Sequence, residues 1–248
     1  MKRVQFYLTP SEGKRLIGKA VACLPDVEEA LQNHTVVVAA GTTNGPVAYE
    51  LLKKIGDTEG FSHKDFIRGT TVPPGVSLKP DFIGDVVIEK GKWVRGKTVF
   101  DAEPDLGKGD VIMKGANAVN LPDGEAGVLM ANPMTGTVAP ISAAVYGRRA
   151  KLYVPVGVEK RVDARMSDIA AILNDPETPG LRLYPLPGEV VTELEAVTIL
   201  TGADAMLVTA GGVMGAEGGA YFLAEGEEDE IEKLNEIVRE LKKEKLFW

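Results

Sequence analysis

Gly41-Thr42-Thr43-Asn44-Gly45 stands between the apolar run Thr35 to Ala40 and a helix-forming stretch from Pro46 to Ile55. The first turn of a helix carries backbone N–H groups without partners inside the helix. Those donors and the positive end of the helix dipole attract phosphate or carboxylate. Gly41 and Gly45 permit close backbone approach, while Thr42, Thr43 and Asn44 add side-chain donors. The alternative is an ordinary turn in which Thr43 or Asn44 caps the helix. The segment is not a P-loop, because the terminal Gly-Lys-Ser/Thr is missing, and its glycine spacing is not that of a dinucleotide fingerprint.

Other residues offer related chemistry. Thr135-Gly136-Thr137 precedes a helix expected over 138–149 and is a second candidate anion site of the same kind. Lys114, Gly115 and Asn117 follow one strand-like run, and Glu159 and Lys160 follow another. Charged groups at strand ends are placed for function, or else are ordinary surface residues. Glu217 is the charged member of the glycine-rich stretch Gly211 to Gly219, which can be a flap, a strand connection or an anion nest. The catalytic candidates are therefore Lys114, Glu159, Lys160 and Glu217. Glu125, in a turn-like setting, is a weaker one. Two distant histidines, His34 and His63, and a single cysteine give no metal-ligand cluster, and no residue pattern specifies a cofactor.

These residues need elements to hold them. Thr9-Pro10-Ser11-Glu12 has the form of a capped helix start, and Pro25 stops that helix near Leu24. A short helix over 26–33, a buried strand over 35–40, the glycine loop and a helix follow; that order predicts a parallel α/β unit. Val86 to Glu89 and Lys92 to Val94 flank Lys90-Gly91 as a β-hairpin. Strands are expected at 110–113 and 151–156, then a helix at 166–173, a strand at 181–184, a helix at 189–201, strands at 205–209 and 220–224, and an amphipathic helix at 227–245. The expected architecture is a Rossmann-like parallel sheet with helices on both faces over residues 1–162, with a hairpin insertion at about 80–100, plus a smaller α+β region over 163–248.

A chain of 248 residues, 44% hydrophobic, is long enough to bury a core. Its net charge of −8 disfavours nucleic-acid and anionic-membrane partners. No apolar run reaches the ~20 residues needed to cross a bilayer. A soluble, cytoplasmic protein, open to homo-oligomerisation, is the expectation. Cys23, in the first helical stretch, is expected to be a buried apolar thiol.

The order Gly41-Thr42-Thr43-Asn44, Lys114-Gly115-Ala116-Asn117-Ala118-Val119-Asn120, Val154-Pro155-Val156-Gly157-Val158-Glu159-Lys160 resembles that of ribose-5-phosphate isomerase. That family belongs to the fold group of glucosamine-6-phosphate deaminase and the CoA transferases. The resemblance covers roughly residues 35–165 and implies sugar-phosphate binding at the first loop. It does not extend to the isomerase acids: Lys114 and Asn117 stand where that family has aspartates, and Thr137 to Ala144 contains no acid. Asparagine cannot shuttle a proton. What the resemblance implies is a phosphorylated or nucleotide-like small metabolite as ligand, for an isomerase- or transferase-like enzyme on a phosphorylated or CoA-type substrate, or for a non-catalytic sensor or structural protein of the same fold.

Overall fold

The structure, a computed structural model, describes residues 1–76 and 84–244. The chain begins with β1 (Lys2–Leu8), α1 (Pro10–Val21), α2 (Pro25–Asn33), β2 (Thr35–Val38) and α3 (Asn44–Lys54). Next come β3 (Val86–Glu89), β4 (Lys92–Trp93), α4 (Val99–Ala102), β5 (Val111–Met113), β6 (Ala118–Asn120) and β7 (Glu125–Met130). After α5 (Val138–Ser142) and β8 (Lys151–Pro155) follow α6 (Met166–Leu173), β9 (Arg182–Leu186), β10 (Glu189–Val191) and α7 (Glu193–Thr201). The last elements are β11 (Asp204–Ala210), β12 (Ala220–Gly226) and α8 (Glu228–Leu241).

The central sheet has the order β10-β8-β5-β2-β3-β4. Strands β10, β8, β5 and β2 are parallel, and β3 runs antiparallel to β2. Alternation along the strands sends side chains to two cores. Val36, Val38, Val111, Met113 and Tyr153 face α1, α2 and α3. Val37, Ile112, Leu152 and Val154 face α4 and α5. The protein is thus an α/β fold with helices on both faces of a mixed sheet. A second sheet, β1-β12-β11, and a third, β6-β7-β9, flank it.

The expected division at residues 162 and 163 is crossed by two strand pairings. β1 pairs with β12, Lys2 opposite Gly226, and β10 extends the central sheet alongside β8. The hairpin turns on Lys90 (φ 47°) and Gly91 (φ 77°), the backbone a two-residue turn requires. It forms the edge of the main sheet; residues 80–83 of the expected insertion, and residue 245 of the last expected helix, lie outside the described residues. Residues 189–201 split into β10 and α7, because Thr192 accepts from the Leu194 amide while Glu195 accepts from the Thr192 amide and hydroxyl, starting a helix. The helix expected over 138–149 runs to Arg148, its second half wound as a π-helix over Ala143–Gly147, and Arg148 reaches back to the Leu106 and Glu103 carbonyls. Cys23 is exposed, not buried: α1 ends at Val21, leaving the thiol in the turn before α2. Among the described residues no helix is long and apolar enough to cross a membrane.

Candidate functional site

Because β2, β5 and β8 are parallel, their carboxyl ends open on one edge of the sheet, where open α/β sheets hold ligands. Gly41 to Gly45 leaves β2 there and runs directly into α3. Thr43 flanks the first turn of α3 but makes no side-chain cap. Asn44, fully buried, donates through Nδ2 to the Ala39 carbonyl at 2.8 Å and the Met113 carbonyl at 3.2 Å. The loop is thereby stapled to the ends of both β2 and β5. Asn44→Ala should cost about 1–3 kcal/mol, since buried groups lose their partners, read as a lower urea midpoint. An unchanged midpoint would remove the staple from the account. The Asn44 Oδ1 is equally buried and has no hydrogen-bond partner among the described residues. Among the described residues a Cβ placed on Gly41 would meet nothing within 4 Å.

Lysines from three elements converge around this loop. Lys14, on α1, reaches Thr42 Oγ1 at 3.4 Å. Lys160, just after β8, donates to the Ala116 carbonyl at 2.9 Å and lies 3.4 Å from Thr43 Oγ1. Lys114, at the end of β5, is 9% exposed, and its ammonium has no hydrogen bond among the described residues. Burial lowers the pKa of all three. Lys114 is pushed down to about 8, by burial first and then by the Arg68 charge; Asp85 opposes this and Lys160 adds to it.

Two carboxylates complete the cluster. Glu193, at the start of α7, is buried and accepts from the Val158 amide at 2.9 Å. Burial, followed by repulsion from Glu159, holds its carboxyl far above the usual range, at about 8. Both acids explain nearby glycines. A Cβ on Gly13 would lie 2.3 Å from Glu193 Oε1, and one on Gly157 would lie 1.9 Å from Glu159 Oε2. In an ordinary helix Gly→Ala gains about 1 kcal/mol. Gly13→Ala should instead lower the melting temperature, because the methyl meets a buried carboxyl; a raised melting temperature would contradict that packing.

Supporting groups surround the loop. The Asp85 carboxylate accepts three hydrogen bonds: Oδ1 from the Ala40 amide and Arg68, and Oδ2 from the Val99 amide. His63 packs its ring against Gly45 and stands 3.3 Å from an Arg15 nitrogen. Burial, then the Arg15 charge, lowers its pKa to about 4.

The structure does not gather every residue the sequence singles out. Gly115 continues the backbone at the β5 end, beside the Pro155 carbonyl. Asn117 Oδ1 accepts from the Leu129 amide, so it shapes the turn into β6 and β7. Thr135 (φ 59°) and Gly136 (φ 57°) form a turn closed by the Asn132 carbonyl. They lead into α5, on the sheet face opposite α3, and among the described residues neither they nor Thr137 hydrogen-bond to the lysines or the Gly41–Gly45 loop. Glu217 is exposed and accepts from the Gly215 amide within its own loop. Glu125 receives the Met166 amide at the start of α6. Among the described residues no group of three or more His, Cys, Asp or Glu side chains is placed to hold a metal ion.

Lys14, Asp85 and Glu193 belong to the site, yet no motif marks them. Gly13 was the available signal: a glycine inside a well-capped helix costs stability unless something large packs there. Comparison with protein-family models, with curated proteins and with solved structures yields no match.

Proposed function

We propose that this chain binds a small, phosphorylated, anionic metabolite at the carboxyl edge of its central sheet. The Gly41–Gly45 backbone and the uncapped first turn of α3 receive the phosphate, and Lys14 and Lys160 supply charge. One observation carries this reading: two buried lysines, Lys14 and Lys114, and the half-buried Lys160, from separate elements, surround a helix start that has no side-chain cap. Burying positive charge is costly unless something negative pairs with it. Glu159 and Glu193 act on Lys14 and Lys160, and Asp85 acts on Lys114. Thr135, Gly136, Thr137 and Asn117 are left out of this clamp.

The paired acids favour an enzyme over a passive sensor. A carboxyl that retains its proton near neutrality can act as a general acid. Kinship with the sugar-phosphate isomerase group is part of the same proposal; the common edge occupied by the loop, Lys114 and Lys160 supports it.

Thermal shift with inorganic phosphate, ribose 5-phosphate, glucosamine 6-phosphate, AMP and coenzyme A tests the binding. A ligand at a hundred times its Kd stabilises by about 2.7 kcal/mol, roughly 5–10 °C for a chain of this size. No shift with any of the five, confirmed by calorimetry, would sink the reading.

A further inference from the structure

Resting on that reading of the site, we propose that Lys114 is a nucleophilic amine that condenses with the carbonyl carbon of an anionic oxo compound held at the Gly41–Gly45 loop.

The three lysines are not equivalent. Lys160 is tied to the Ala116 carbonyl and stands over Thr43, as an anchoring cation does. Lys14 reaches Thr42 and feels both Glu159 and Glu193. Among the described residues Lys114 has no such ties. It is nine-tenths buried and no described residue accepts a hydrogen bond from it. Asp85, the carboxylate among the described residues whose charge acts on it, also accepts from the Ala40 and Val99 amides and from Arg68. Arg68 and Lys160 place further positive charge nearby. A desolvated amine beside cations is the arrangement that frees a lysine lone pair for attack on carbonyl groups. Its pKa near 8 leaves roughly a tenth of the amine unprotonated at pH 7.

Position agrees with this role. β5 lies between β2 and β8, so Lys114 leaves the middle of the edge that the Gly41 loop and Lys160 flank. Asn44 links the loop to Met113, the residue before Lys114. An anion seated on the loop therefore presents its neighbouring carbon toward this amine.

The step balances without an added reagent. The neutral amine gives its lone pair to the carbonyl carbon, and the carbonyl π pair moves to oxygen. Through addition and elimination that oxygen takes up the two nitrogen protons and leaves as water, with C=N remaining. Glu193, which retains its proton, and Glu159 stand beside Lys160 to relay protons.

Borohydride trapping tests the assignment. The intact protein is incubated separately with glyoxylate, pyruvate, dihydroxyacetone phosphate and ribose 5-phosphate, reduced, weighed and peptide-mapped. At least one compound is expected to add its own mass less one oxygen, on Lys114. Lys114→Arg keeps the charge but lacks a competent nucleophile, and should reduce the adduct roughly tenfold or more. An adduct spread over surface lysines, or centred on Lys14 or Lys160, overturns the proposal. So does the absence of an adduct, whether or not phosphate binds in a parallel titration. An adduct on Lys114 without phosphate binding upholds the amine and removes the phosphate reading, so the two fail separately.

Discussion

Lys160→Met is expected to weaken phosphate binding by about 10- to 100-fold, because a hydrogen bond to a charged group contributes about 1.5–3 kcal/mol. The Lys160 ammonium is directed at Thr43 and the Ala116 carbonyl from the end of β8. Burial shields it from salt, so the loss should persist at high ionic strength, where a surface charge would be screened. Lys14→Met should produce a loss of the same order. The double variant should lose less than the sum, since both cations share Glu159 and Glu193. Lys108→Met removes an exposed lysine and serves as the control. Calorimetric titration of inorganic phosphate reads the four variants and the parent. If Lys160→Met binds phosphate as the parent does, the anion is not held at this edge, and the Gly41 loop reverts to an ordinary turn.

How legible this site was in the sequence depends on how local each signal is. Thr9 and Glu12 cap α1 within four residues, and the helix begins where those residues indicate. The β2 run and the Gly41–Gly45 turn are likewise neighbours in sequence. β1 was not legible: Val4, Phe6 and Leu8 alternate, but the strand that completes their pairing, β12, begins more than 200 residues later. Lys14 and Glu193 fail for the same reason. Lys14 reads as a helix surface lysine and Glu193 as a first-turn acid suited to the dipole. Only the packing of α1 against α7 and the Gly41 loop turns both inward. Asn117 errs in the opposite direction. It looks available at a strand end, but a strand folding back over it, β7, takes its oxygen. In each case the deciding contact lies far away in sequence or arises from a chain reversal.

Glu193→Gln should change how stability depends on pH, with a sign opposite to that of an ordinary carboxylate. The Glu193 pKa rises from 4.5 to about 8 on folding, so between those values the native state binds the proton that the unfolded chain releases. Wild-type stability from this group is therefore complete below pH 4.5 and is lost as pH rises through 8. The slope reaches at most about 1.4 kcal/mol per pH unit for one proton. Glutamine mimics the neutral acid and can accept from the Val158 amide. It should match the parent near pH 4.5 and exceed it increasingly toward pH 8. His63 acts in the other direction: its pKa falls from 6.5 to about 4, so its contribution is present above 6.5 and lost as pH drops through 4. Lys114, lowered from 10.5 to about 8, likewise adds stability as pH rises from 8 to 10.5. Both remain in the variant, so the difference between parent and variant isolates Glu193. Urea melts across this range supply that difference. Parallel curves would mean that Glu193 ionises in the folded protein as freely as in the unfolded chain, and the site would then have no proton to offer a bound substrate.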